Sequence, residues 1–125
     1  MTKCSCGCGC IPFSYGKGKF EIRACAERIG NDAVIMIGGG EKPHAGCVVI
    51  CEPDKATGKV TASVHNFTTH REEVVARPIA EAICRKIKAR VVCICGIHVN
   101  NASKKEIALL VKNTELLGKR LLKCF

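Results

Sequence analysis

The sequence predicts an α/β domain of the α+β kind, ordered β-β-β-β-α-β-α, with two helices packed on a mostly antiparallel five-stranded sheet. Three observations predict it. Short stretches rich in valine and isoleucine recur at VIMI (34–37), CVVIC (47–51) and VVCICGI (91–97), as strand cores do. Two S/T-x-x-E segments, Thr69 to Glu72 and Ser103 to Glu106, each precede a run with helical apolar spacing. The length, 125 residues, suits one domain of ordinary size.

The elements follow in order. Residues 1–18, MTKCSCGCGCIPFSYGKG, are dense in Gly and Cys and lack a core-building period, so they read as a tail preceding a single domain over 19–125. From Lys19 the chain alternates, with Phe20, Ile22, Ala24 and Ala26 on one face and Lys19, Glu21, Arg23 and Glu27 on the other, which predicts a half-buried strand. Gly30-Asn31-Asp32 turns the chain into a second strand, Ala33 to Ile37. A third strand covers Gly46 to Cys51, and after the loop EPDKATGK a fourth covers VTASVHNF, with Val60, Ala62 and Val64 inward and Thr61, Ser63 and His65 outward.

The Thr69 capping box opens the first helix, whose apolar stripe is Val75, Ile79, Ala82, Ile83 and Ile87. Pro78 removes a hydrogen bond there and predicts a kink or local break. Residues 91–97 are apolar throughout, as a buried strand beside helices would be. The Ser103 capping box then starts a closing helix that places Ile107, Leu110, Val111, Thr114, Leu117 and Leu121 on one side.

Composition excludes several function classes. No apolar run reaches the ~18 residues needed to cross a bilayer, and no signal-peptide core precedes the domain, so no membrane role is expected. The eleven cysteines are odd in number, and Cys25, Cys47, Cys51, Cys84, Cys93 and Cys95 fall in apolar patterns where thiols act as small hydrophobes. That argues against a secreted disulfide framework and for the cytoplasm. The net charge of +9 raises nucleic acid binding, yet four Phe, one Tyr and no Trp leave little to stack on bases, and many cations cluster near helix C-termini. Nucleic acid is therefore not an expected partner.

Strand directions gather the candidate residues. With antiparallel links through the first four strands and a helical crossover to the fifth, strands two, four and five finish at one rim. The loops leaving them are GGGEKPHAG (38–46), TTHRE (68–72) and HVNNAS (98–103), and each carries a histidine: His44, His70 and His98. Both helix N-termini open there too, and their free N–H groups attract phosphate or carboxylate. Glycine lets backbone approach a ligand closely, which gives Gly39 and Gly40 a reason. Gly39, Gly40, His44, His70, His98 and Asn101 form the candidate cofactor-binding set, against plainer readings of a wide hairpin tip, capping histidines and turn-forming asparagines. Three histidines with an open fourth position also suit a zinc hydrolase, although their spacing matches no metal motif. Cys4, Cys6, Cys8 and Cys10 could bind a soft metal adventitiously but lack zinc-knuckle spacing. No catalytic residue and no resident metal site is assigned, because no nucleophile–base pair or paired carboxylate stands out.

GGGEKPHAG, TTHREEVVARPIAEAI and GIHVNNASKKEI, in this order and each after a strand, resemble the prenylated-flavin chaperone-like family over residues 19–123. Some members accompany decarboxylases of gallate and related hydroxyarylic acids. The family pattern touches Gly39, Gly40, Pro43, His44, Gly46, His70, Gly96, Ile97, His98 and Asn101, while a position often acidic in the family is Asn100 here. The family is similar in fold to eukaryotic proteasome assembly chaperones, which work as dimers through surfaces. The resemblance implies a non-enzymatic accessory protein and homodimer that assists a prenylated-flavin-dependent decarboxylase, by transient holding of prenylated flavin mononucleotide or by stabilising the enzyme. The alternative is a dimeric assembly module without a small-molecule ligand.

Overall fold

The computed structural model describes residues 11–67 and 72–125. Its elements are β1 (Ile11–Tyr15), a 3-10 turn (Gly18–Phe20), β2 (Ile22–Ile29), β3 (Asp32–Gly40), β4 (Cys47–Pro53), β5 (Val60–Asn66), α1 (Glu73–Ile87), β6 (Val91–His98) and α2 (Lys104–Lys123). The strands form one six-stranded sheet in the order β1-β2-β3-β6-β4-β5. All neighbouring pairs are antiparallel except β3 and β6, which run parallel at its centre.

This corrects the expected five strands. The additional one, β1, takes in residues 11–15, which the sequence assigns to the tail. Proline at position 12 and the glycines at 16 and 18 hide its alternation, and an edge strand is where a sheet tolerates proline. Phe13 and Tyr15 nevertheless pack against the core.

Both helices lie on one face. Alternation sends Ile22, Ala24 and Ala26 of β2, Ala33, Ile35 and Ile37 of β3, Cys47, Val49 and Cys51 of β4, and Val91, Cys93 and Cys95 of β6 toward them, all buried. Each fully buried isoleucine or leucine contributes about 2 kcal/mol. Small residues on α1 (Ala76, Ala80, Cys84) let that helix settle closely on β4 and β6. Burial raises the pKa of the core thiols, so they stay protonated and inert: Cys47 and Cys51 rise to about 11, and Cys84, Cys93 and Cys95 are shifted the same way. Cys25 departs from the expected set. It alternates away from the helices and is disulfide-bonded.

Helix α1 begins at Glu73, with Glu72 as N-cap and no side-chain cap bond. The expected Thr69 capping box, and with it His70, lies outside the described residues. Pro78 does not end the helix, which continues to Ile87. The N–H it lacks would have met the Val74 carbonyl, and both residues are exposed, so water can satisfy that oxygen. The Ser103 box forms as expected: Ser103 Oγ accepts from the Glu106 N–H, and Glu106 Oε1 accepts from the Ser103 N–H. No helix among the described residues is long and apolar enough to cross a membrane.

Candidate functional site

Strands β3, β5 and β6 run in one direction, so their C-terminal ends share a rim. The sequence alone treats 38–46 as a wide hairpin, but β3 and β4 are not neighbours, because β6 lies between them. The connection must cross the end of β6, a span of two strand spacings or ~10 Å, which no two-residue turn covers.

The crossing is held by backbone bonds to β6. The amides of Glu41 and Lys42 donate to the His98 carbonyl (2.7 and 3.2 Å), His44 to Gly96 (3.4 Å) and Gly46 to Cys95 (3.0 Å). Two glycines are required by this approach. Gly40 turns at φ +77° against the His98 carbonyl, and a Cβ on Gly96 would collide with the carbonyl of His44.

The loop then sets its side chains. His44 Nδ1 lies 2.8 Å from the Lys42 carbonyl oxygen, and its Nε2 lies 3.2 Å from Glu72 Oε1 at the start of α1. Glu41 Oε1 accepts from the Asn100 amide at 2.9 Å, tying the loop to the segment after β6. In that segment His98 Nε2 sits 3.1 Å from Asn100 Oδ1, and Asn101 adopts a left-handed turn at φ +51°.

Between the first turns of α1 and α2 and over the end of β6 there is a cavity of ≈ 420 Å³. Its walls are mainly apolar (Val74, Val75, Ile97, Val99, Ala102, Ile107, Leu110, Val111), with Glu72, His98, Asn101 and Thr114 as polar groups. The volume falls within the ~300–1,000 Å³ of small-molecule sites. Val74 in the first turn of α1 and Ile107 in the first turn of α2 both line it and are 70% and 52% exposed, so these apolar side chains are left largely uncovered by the described residues. Thr114 Oγ1 donates to the Leu110 carbonyl at 2.7 Å and so presents its methyl-bearing side without an unpaired hydrogen. Among the described residues no lysine or arginine lines the cavity.

The candidate residues separate. His98 and Asn101 line the cavity, and His44 stands behind its Glu72 wall. Gly39 and Gly40 line a different groove with Gly18, Glu21, Arg23, Gly38 and Pro43. His70 lies outside the described residues. The expected anion site at the helix starts meets two opposing features: the carboxylate of Glu72 sits at one, and the capping box already occupies amides of the other. Among the described residues no three His, Cys, Asp or Glu side chains group as metal ligands would. His44 and His98 instead each engage a separate oxygen partner.

Sequence reasoning missed Glu72 as a wall and read Ile107, Leu110, Val111 and Thr114 as core. One signal was available. The α2 stripe extends a full turn beyond what a sheet with its last strand ending at His98 can cover.

With this geometry in place, comparison with known proteins gives three findings. The prenylated flavin chaperone LpdD-like domain family matches residues 16–125. Protein LpdD of Lactiplantibacillus plantarum (strain ATCC BAA-793 / NCIMB 8826 / WCFS1) is 26% identical over 110 residues, which span 88% of this chain and 81% of that protein. A chain from the crystal structure of a novel chaperone complex for yeast 20S proteasome assembly superposes with a TM-score of 0.66 at 14% identity, covering 92% of each chain, so the two share a fold. The family match runs through β2 to α2 and includes every wall of the cavity, and the chain accordingly belongs to the prenylated flavin chaperone LpdD-like family.

Proposed function

We propose that this protein is a non-catalytic accessory of a prenylated-flavin-dependent decarboxylase in the cytoplasm, and that as a homodimer it holds the prenylated flavin mononucleotide transiently on its way to the enzyme. The observation that carries the reading is the rim cavity. Its apolar walls suit the prenyl-bearing ring, and His98 and the Asn101 amide supply polar groups in the lining with which ring nitrogens and carbonyls can pair. With no lysine or arginine among the described lining residues and Glu72 inside it, the phosphate stays at the mouth, toward Lys104 and Lys105 in the exposed first turn of α2. Few polar groups and no aromatic ring among the described lining residues favour exchange over tight retention.

The test is thermal unfolding with and without prenylated and unmodified flavin mononucleotide, alongside reconstitution of a decarboxylase. The prenylated form should raise Tm more than the unmodified one, and Val111→Glu or Ile107→Glu should abolish the difference. His98→Ala and Asn101→Ala should weaken it and slow maturation of the enzyme. No Tm response to either flavin, with all four substitutions silent in maturation, overturns the reading.

A further inference from the structure

We propose that Cys25 is a thiol-exchange site, where a small anionic thiol of the glutathione class opens and closes a disulfide that fastens the N-terminal tail to β2. The proposal rests on the cytoplasmic placement given above. Elimination names the tail. Cys25 is disulfide-bonded, the other six described cysteines are free, and of the eleven in the chain only Cys4, Cys6, Cys8 and Cys10 are left to bond it. Chain connectivity agrees: Pro12 of β1 pairs with Cys25, and Cys10 stands two residues before Pro12. The family match begins at residue 16, so this staple is no part of the pattern the family shares.

Its surroundings make this the exchangeable bond. Cys47, Cys51, Cys84, Cys93 and Cys95 are buried on the helix side, where no thiol reagent reaches them. Cys25 alternates to the other face, is half-buried, and borders a groove of ≈ 380 Å³ with Ser14, Glu21, Arg23 and Met36. Glu21 takes the Nε of Arg23 at 2.9 Å, yet the Arg23 side chain is 77% exposed and offers its outer nitrogens to the carboxylates of an incoming tripeptide thiol. Exposed disulfides are the labile ones, and a disulfide in a reducing compartment ordinarily serves as a sensor.

The exchange balances. A glutathione thiolate attacks one sulfur, the Cys25–tail bond breaks, and the displaced cysteine leaves as a thiolate that takes a proton from water. A second glutathione thiolate attacks the mixed disulfide, leaving two reduced cysteines and one glutathione disulfide, which is the oxidant of the reverse reaction. Whichever tail cysteine holds the bond, three others lie within six residues of it and can displace it, so the staple can migrate along the tail with no net redox change. The state of one bond thus decides whether the chain start stays tied beside Met36, the β3 partner of Cys25.

The experiment takes the full chain through glutathione buffers from oxidised to reduced, traps free thiols with iodoacetamide, and maps linked peptides by mass spectrometry. Cys25 should pass from linked to alkylated in one reversible transition, with its partner distributed over Cys4, Cys6, Cys8 and Cys10. Opening a loop of this length should lower the parent Tm by ~10 °C, whereas Cys25→Ser should melt alike in both buffers. The cavity lies on the helix side, so parent and Cys25→Ser should respond equally to prenylated flavin; no response in either counts against the ligand reading alone. Should Cys25→Ser fold poorly, the peptide map of the parent decides. Cys25 alkylated at every buffer ratio, Cys25 still linked in excess reduced glutathione, or a link joining two chains each overturns the proposal.

Discussion

Gly96→Ala tests whether the crossing loop is built against β6. The new methyl would meet the His44 carbonyl and come within 2.9 Å of the Gly46 nitrogen, both of them backbone atoms that cannot rotate aside. The loop must lift, which removes the bonds from His44 to Gly96 and from Gly46 to Cys95. Two such bonds at ~1 kcal/mol each, with overpacking of ~1–2 kcal/mol, give a loss of about 3 to 4 kcal/mol. For a domain of this size that lowers Tm by ~12 °C or more. Circular dichroism melting measures it, and amide exchange assigns it, because the amides of His44 and Gly46 should lose protection while β1 and β2 keep theirs. Moving His44 also separates it from Glu72, 3.2 Å away in the parent, so the flavin response should weaken in the same variant. A Tm within about 2 °C of the parent, with the His44 amide still protected, refutes the reasoning.

Other predictions follow from single interactions. Ser103→Ala removes the hydroxyl that caps α2 and should cost about 1 kcal/mol, read as a Tm drop of ~4 °C. The Ser103 amide and Lys19 hold the Glu106 carboxyl below its usual 4.5; that contribution is present above the unfolded value and lost as pH falls through the folded one. Melting curves from pH 6 to pH 3 should therefore fall more steeply in the parent than in Glu106→Gln, which removes the carboxyl that titrates. Asn113→Ala leaves the Phe20 carbonyl without the Nδ2 donor now 3.0 Å away and should cost ~1–3 kcal/mol, seen as a lower denaturant midpoint with an unchanged slope. Iodoacetamide at pH 8 should alkylate Cys124 and spare Cys47, Cys51, Cys84, Cys93 and Cys95 until the protein unfolds. Because buried thiols keep their protons while unfolded ones lose theirs, stability should decline from pH 9 to about 11, the range set by Cys47 and Cys51.

Much of the fold was legible because local pattern and tertiary packing agree. Alternation located β2 and β5, valine-rich runs located β3, β4 and β6, and the Ser103 box marked the start of α2 within a residue. Strand directions were legible too, since they follow from connection type, and so the rim assignment of His44 and His98 could be argued before any coordinates. Strand order was not legible. Nothing local tells β6 to insert between β3 and β4, because both edges it meets are apolar. That omission explains how the loop at 38–46 reads as a wide hairpin when it is a bridge, and why its glycines suggest a ligand wall when Gly40, together with Gly96 of β6, serves the backbone crossing. The cavity was hidden for a related reason. A helical stripe predicts which side is buried but not how far along the helix burial extends.

The insertion of β6 also bears on how one small domain can carry two surfaces. Alternate residues of this strand serve opposite faces: Cys95 and Ile97 point toward the helices, where Ile97 lines the cavity, while Val92 and Ile94 lie on the opposite face of the sheet. The two sets share a backbone fixed on both sides, by parallel pairing to β3 and antiparallel pairing to β4. A strand so clamped has little freedom to slide, and a one-residue slip would exchange every side chain between the faces. Coupling between the cavity and the opposite face would need a second arrangement of β6, which this register forbids without breaking both ladders. The expected consequence is independence: occupancy of the cavity should leave the arrangement of the opposite face of the sheet unchanged.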